Sequence, residues 1–406
     1  MQNKPVSVFN IAVIVAALGY FVDIYDLLLF SIIRVPSLKS LGLNDAQIAS
    51  DGLFIINTQM IGLLVGGIFW GVLGDKKGRL KVLYASIILY SVGNIANGFV
   101  QTVPQYAFIR FITGIGLAGE LGAGITLVSE LLPKEKRGVG TSLVAGIGLT
   151  GAVVAFFIKE NFDWRTCYFI GGGLGFLLLF LRVRVLESGM FKNIEHAQVS
   201  KGNFLMFFTN RHRLKKYILC ILIGLPTWYV IGILVSFSKE FGEKMGIQGV
   251  VDPGKAIMFA YAAISIGDIA VGLLSQVLRS RKQSLYVFYA ITAMGIVWFF
   301  NLQGQSVNML YAACALLGFG TGFWAIFVTI AAEQFGTNIR ATAATTVPNM
   351  VRGALVLISL LFTSLQPSLG YITSGWVTGA ILMVITVVAA IMTEETFGKD
   401  LDYVEK

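Results

Sequence analysis

The sequence predicts an all-α membrane protein, with twelve transmembrane helices in two pseudo-symmetric six-helix bundles. Three observations carry this. Of the 406 residues, 56% are hydrophobic and 13% charged, whereas a soluble domain carries roughly a quarter charged residues. Apolar runs of roughly 20 residues, each long enough to cross a hydrocarbon core, recur twelve times. The longest gap between runs separates six from six, and a repeat spans that gap.

Taken in order, the spans fall near 8–34, 47–74, 80–100, 104–132, 138–159, 164–182, 214–239, 254–278, 283–302, 307–335, 340–365 and 369–392. The first run is too long for a signal-peptide core and has no small-residue cleavage site, so it is expected to remain as a helix. Loops after the even-numbered spans hold 19 Lys and Arg against seven after the odd-numbered ones. By the positive-inside rule, the even loops and both termini are expected in the cytoplasm, with the chain in a plasma or bacterial inner membrane. The segment Arg182 to Lys216 has eight basic and two acidic residues and should lie against anionic headgroups. It accounts for much of the net charge of +9, so nucleic acid is not an expected partner. The expected division is 1–182, an N-terminal bundle; 183–213, a cytoplasmic linker; and 214–406, a C-terminal bundle. Cys167, Cys220 and Cys314 all fall inside spans and are expected to be packing residues.

The repeat is specific. Glu130 and Arg137 follow a helix containing Gly114, Gly116 and Gly119; Glu333 and Arg340 follow one containing Gly318, Gly320 and Gly322. The offset is 203 for Glu130 to Glu333, for Arg137 to Arg340 and for Gly119 to Gly322. Gly71 and Arg79 have a weaker echo in Gly272 and the Arg279, Arg281, Lys282 cluster. Duplicated six-helix halves suit a carrier whose site lies between them at the midplane.

Intramembrane charges mark the candidate site, because each is costly unless it is paired or faces a wet cavity. Asp23 and Asp26 stand three apart in the first span, on one helix side. At about 1.5 Å of rise per residue, Arg110 in the fourth span lies at about the depth of Asp26 and is their expected partner. Two aspartates to one arginine leave a surplus carboxylate able to carry a proton. Both histidines, His196 and His212, lie in the central loop, so Asp23, Asp26, Glu120 or Asp268 must carry any coupling proton. Glu120 and Asp268 lie closer to the cytoplasmic end and have a gating role as their alternative. Arg352, near the midplane of the eleventh span, has no acid in its own helix. Its planar guanidinium suits a carboxylate or phosphate; Asp268 or Glu333 could instead neutralise it. Tyr20, Tyr25, Trp228, Tyr229 and Trp324 are expected to flank a planar organic substrate. Asn349, Asn57, Gln59 and Asn94 are candidate ligands or interhelical hydrogen-bond formers.

The loop GVLGDKKGRLK, residues 71–81, resembles the signature loop of the major facilitator superfamily at every specified position. The resemblance implies that Asp75, Gly78 and Arg79 govern rocking between inward- and outward-open states without touching substrate. Glu130, Arg137, Asp268, Glu333 and Arg340 join them as expected gating residues. Arg110-x-x-x-Gly114-x-Gly116 resembles the motif of proton-coupled members. The run GYFVDIYDLLLF resembles the start shared by phosphate, aromatic acid and metabolite symporters. RVLESGMF is similar to a metabolite and sugar symporter sequence, with Leu186 and Gly189 in place of two prolines. ETFGKDLD resembles the tail of the sugar-porter and organic-ion branches. Arginine nineteen residues after Glu333 resembles aromatic acid symporters and organic-anion carriers. Gly232, where phosphate symporters carry aspartate, weakens a phosphate reading. The fifth span lacks the Gly-Pro ending of drug exporters.

The expected function is proton-coupled import of a small organic anion by alternating access, with Asp23, Asp26, Arg110 and Glu120 handling the proton. Expected partners are the anion, protons and the lipid bilayer, and the carrier is expected to work as a monomer. Alternatives are an uncoupled facilitator or exchanger, a phosphate:proton symporter, or a ligand-binding membrane sensor. No nucleotide loop, metal cluster or nucleophilic triad is present in the sequence, so no enzyme, cofactor or metal is expected.

Overall fold

The computed structural model describes residues 11–77, 79–120, 144–187, 204–336 and 339–399, without the side chains of 11–12, 74–81, 184–187 and 341. The first half runs α1 (Ile11–Ser40), α2 (Asp45–Lys77), α3 (Arg79–Asn97), α4 (Val103–Leu117), α5 (Gly151–Asn161) and α6 (Trp164–Glu187). The second runs α7 (Arg211–Tyr229), α8 (Pro253–Leu278), α9 (Arg281–Phe300), α10 (Val307–Thr321), α11 (Trp324–Glu333), α12 (Arg340–Gly353), α13 (Leu355–Leu369) and α14 (Tyr371–Met392). Among the described residues ten helices are long and apolar enough to cross a membrane. The shorter apolar helix Val82–Asn97 and α4 supply the third and fourth spans. Glu130 and Arg137 lie outside the described residues, as does Gly78, and so do the side chains of Asp75 and Arg79.

Local chemistry sets several helix ends. Thr102 is extended and accepts the Gln105 N–H at the start of α4, with Pro104 in the first turn. Asp252 and Ser280 cap α8 and α9 the same way, through the N–H groups of Gly254 and Gln283. Arg279, at φ 48°, takes the left-handed conformation that stops α8.

Two of the expected spans are not simple rods. The seventh passes from α7 into a π-helix, Val230–Val235, four residues beyond Pro226. The tenth is broken at Gly322 and Phe323, whose backbones leave the helical region between α10 and α11. The break has a packing cause: a Cβ on Gly322 would sit 2.7 Å from the Gly267 Cα of α8, so the two backbones touch. The eleventh span is α12 running into α13 through Ala354.

Each half is built around one glycine seam. In the first, α4 lies on α2, and a side chain at Gly114 would collide with the Gln59 carbonyl. In the second, α10 lies on α8 with Gly318 against the Ala260 carbonyl. These matching contacts, α2 with α4 and α8 with α10, give the sequence repeat its structural form.

The halves meet along three lines: α2 against α12 and α13, α5 against α8, and α1 against α8. At the end where α1 turns into α2, three ion pairs cross between the halves among the described residues. Arg34, fully buried, meets Glu240 at 2.7 Å and also donates to the carbonyls of Ile48 and Ser236. Lys239 meets Asp45 at 2.9 Å, and Lys159 meets Asp252 at 2.7 Å. Further along, Asn57 and Ser359 exchange hydrogen bonds of 2.7 and 3.0 Å. Towards the opposite end, Asn349 donates to the Ala118 carbonyl at 3.1 Å, and Ser265 to the Gly146 carbonyl at 3.0 Å.

Candidate functional site

One pair of buried charges near the middle of its spans crosses between the halves. Asp23 of α1 faces Arg352 of α12, Oδ2 to Nη2, at 3.6 Å, with both side chains 1% exposed or less. The pairing expected from the sequence differs: Arg352 is not without an acid, and its acid comes from the other half rather than from Asp268 or Glu333. The contact is loose. A charge-assisted N–H···O bond is shortest near roughly 2.7–2.9 Å, whereas here both Asp23 oxygens and the Arg352 Nε and Nη1 make no hydrogen bond. A buried guanidinium so under-occupied has donors left over for a carboxylate.

Arg110 is satisfied another way. It donates to the backbone carbonyl of Asp26 at 2.9 Å, to Gln59 Oε1 at 3.2 Å and to Asn94 Oδ1 at 3.4 Å. Neither aspartate carboxylate ion-pairs with it, which departs from the expected pairing. The Asp26 carboxylate points into the first bundle, where a Cβ on Gly171 of α6 would approach its Oδ1 to 2.6 Å. Gln59 and Asn94 are thus positioning groups for Arg110, and Asn57 holds the halves together.

Glu120 forms an ion pair with Arg182 near the end of α6, Arg182 Nη1 donating to Oε2 at 2.9 Å, and both are buried. Gly19 of α1 makes the room, since a side chain there would collide with both partners. Glu120 therefore has a fixed counter-ion. Asp268 accepts the Ala325 N–H at 3.0 Å, at the first turn of α11, because the contact of Gly267 with Gly322 delivers it there. A carboxylate at a helix N-terminus complements the helix dipole, so Asp268 is a cap for the broken tenth span. Glu333 pairs with Arg281 at 3.3 Å, and Arg340 donates to the Phe335 carbonyl at 3.3 Å. Arg281 belongs to the basic cluster that the sequence repeat singles out.

Of the five expected aromatic residues, two lie near the Asp23–Arg352 pair. The Trp324 ring sits 6.0 Å from the Arg352 guanidinium carbon, and its indole N–H has no partner. Tyr20 packs against Gly148, one turn from Asp23, within electrostatic reach of Asp23 and Arg352. Trp228 lies on the face of α7 that carries Gly224, which meets Val351 next to Arg352; its indole N–H is also unpaired. Tyr25 and Tyr229 serve elsewhere. Their hydroxyls donate to the carbonyls of Cys167 and Gly375, each inside its own bundle, so neither flanks the seam. Asn349 is occupied by Ala118 and Thr345 carbonyls at the seam.

Two residues, Tyr261 and Arg34, escaped the sequence reading, and Arg182, expected against lipid headgroups, is instead buried. Tyr261 of α8 lies within electrostatic reach of both Asp23 and Arg352. Arg34 and Arg182 each bind an acid distant in sequence, a pairing that no local spacing signals. No group of three or more metal-ligating side chains occurs among the described residues.

The comparisons with known proteins agree with this architecture. A family model described as the Major Facilitator Superfamily matches residues 11–359. The niacin transporter NiaP of Acinetobacter baylyi is 26% identical, over 99% of this chain and 98% of that protein. The 3-(3-hydroxy-phenyl)propionate transporter of Escherichia coli is 27% identical, over 77% of this chain and 80% of its own length. Among solved structures, the proton:xylose symporter XylE bound to 6-bromo-6-deoxy-D-glucose aligns at TM-score 0.71 and 18% identity, covering 97% of each chain. At that identity the likeness speaks to fold. Two halves seamed by glycine, charges held at the line between them and a family match across most of the sequence lead to one conclusion: this integral membrane protein belongs to the major facilitator superfamily of transporters.

Proposed function

We propose that the protein imports a small organic anion together with protons, by alternating access. The observation that carries this reading is Arg352: a buried guanidinium at the line between the halves, with two nitrogens lacking hydrogen bonds and an indole ring beside it. Such a site suits a carboxylate attached to a planar body. The substrates for which these relatives are named, niacin and a hydroxyphenyl propionate, are of that kind. Intramembrane Asp23 and Asp26, on the helix that faces Arg352, supply carboxylates able to take up the coupling proton. In this reading the membrane is the bacterial inner membrane, the end joining α1 to α2 faces outward, and both termini are cytoplasmic. The Asp75, Gly78 and Arg79 loop with Glu130 and Arg137, and Arg281 with Glu333 and Arg340, latch the cytoplasmic side.

The test is uptake by the purified carrier in proteoliposomes, using radiolabelled nicotinate, benzoate and 3-(3-hydroxyphenyl)propionate. At least one is expected to accumulate when the lumen is alkaline, to equilibrate only weakly without the gradient, and to lose uptake with Arg352→Ala. Uptake indifferent to the gradient assigns an uncoupled carrier. Uptake of none, or uptake untouched by Arg352→Ala, sinks the organic-anion reading.

A further inference from the structure

Resting on the reading of Arg352 as the anion receptor, we infer that Asp23 and the substrate carboxylate are alternative partners of that one guanidinium, so that one anion enters with one proton left on Asp23. The geometry makes the two exclusive. Asp23 and Arg352 are nearly sealed from solvent, and their 3.6 Å separation joins the two halves without a hydrogen bond on either Asp23 oxygen. An arriving carboxylate that forms the bidentate contact natural to arginine occupies the Nε and Nη edge. Asp23 would then stand charged beside a second carboxylate, an arrangement that low-dielectric surroundings penalise heavily.

Among the described residues Arg352 is the cation that acts on Asp23, and Arg182, a turn away beside Gly19, is held by Glu120. Glu120 of the first half acts on it, but that acid is already bound to Arg182. Tyr20 on its own helix, Tyr261 from α8 and Tyr90 from α3 are neutral neighbours within electrostatic reach. Asp26, one turn on, turns into the first bundle, and Asp268 is held by the N-terminus of α11. A proton on Asp23 is therefore the available remedy. The step balances: a carboxylate anion and a proton enter, an O–H bond forms on Asp23, the ion pair moves from Asp23 to the substrate, and no electrons change hands. The charge of the site is unchanged by loading with a monoanion. A dianion would leave one charge over, so the site is assigned to monocarboxylates, at one proton each.

The experiment is isothermal titration of the purified, full-length carrier with nicotinate or benzoate, in buffers of differing ionisation enthalpy, between pH 6 and pH 8. The wild type is expected to take up about one proton per anion at the alkaline end, with affinity falling about tenfold per pH unit there. Asp23→Asn is expected to bind the anion with no proton uptake and with affinity flat across the range. Asp23→Glu is expected to restore both proton uptake and pH dependence. Phthalate, a dianion of similar shape, is expected to bind at least tenfold more weakly than benzoate. If wild type binds without proton uptake while Arg352→Ala does not bind, the exchange of partners is wrong and the anion receptor stands. If Arg352→Ala binds as wild type does, the receptor assignment itself is wrong. Proton uptake that persists in Asp23→Asn also overturns the inference.

Discussion

At the scale of single residues, the charge pairs Arg34 with Glu240, Asp23 with Arg352, and Glu120 with Arg182 stand apart from one another, each with a buried arginine. Glu120 and Arg182 form one of these, and both are buried. Removing one member of a buried pair strands the other, at a cost on the order of 3–5 kcal/mol. Glu120→Gln is therefore expected to lower the midpoint of thermal unfolding in detergent clearly, while Glu120→Gln combined with Arg182→Met recovers most of the loss. An equal loss in the double variant would show that the carboxylate acts through something other than its arginine. The depth of Asp23, Asp26, Arg110 and Arg352 was readable from the sequence, because rise per residue fixes it. Their partners were not. Residues three apart on a helix differ by about 60° in direction, enough to send Asp23 to Arg352 in the other half while Asp26 turns towards Gly171. Apolar patterning cannot choose between these directions on a helix buried nearly all round, as α1 is.

At the scale of elements, the segment after α14 is tied to the start of α9 by Lys282, whose ammonium donates to the Thr393 carbonyl at 2.7 Å, and above all by Glu395. Glu395 accepts the N–H groups of Arg281 and Lys282 and the hydroxyl of Ser280, while the Phe397 ring lies 5.2 Å from the Arg281 guanidinium carbon. Burial alone would raise the Glu395 carboxyl, but the Ser280 hydroxyl and these backbone donors outweigh it and hold it at about 2, from an ordinary 4.5. A depressed folded value contributes stability that is fully present above pH 4.5 and is lost as pH falls through about 2. Hydrogen exchange should therefore show the amides of Arg281 and Lys282 protected at pH 4 as at pH 7. Glu395→Gln should expose them several-fold at both; equal protection in the variant would mean the clamp lies elsewhere. The resemblance of this tail to carrier sequences was visible beforehand, but its docking on a helix N-terminus was not. The tenth span gave a similar lesson: its glycines marked the repeat, and the break at Gly322 and Phe323 follows from a neighbour, Gly267, that no pattern within the span identifies.

At the scale of the whole molecule, the end joining α1 to α2 is shut by three inter-half ion pairs, with Arg34 at their most buried point. Opening that side must break the Arg34 to Glu240 contact, so weakening it shifts the population towards the open state. With Ile32, whose side chain lies against Gly254 across the halves, replaced by cysteine in a background free of other cysteines, an impermeant maleimide reports that opening. Glu240→Gln is expected to raise the labelling rate several-fold, and an unchanged rate would show that the other two pairs suffice. The count and order of spans were legible because lipid demands long apolar runs. The seam between the halves was not, because it is written in contacts far apart in sequence, such as Arg34 with Glu240.

The paired glycine seams, Gly114 on α2 and Gly318 on α8, have one more consequence. Helices meshed main chain to main chain leave no slack for a bulkier neighbour, so each six-helix block should tolerate little drift in its interior. Divergence in cargo preference among kindred sequences should then gather on the inner walls where the blocks confront each other, around Tyr20, Tyr261 and Trp324. Hybrid carriers that exchange whole blocks should fold more readily than those spliced within one.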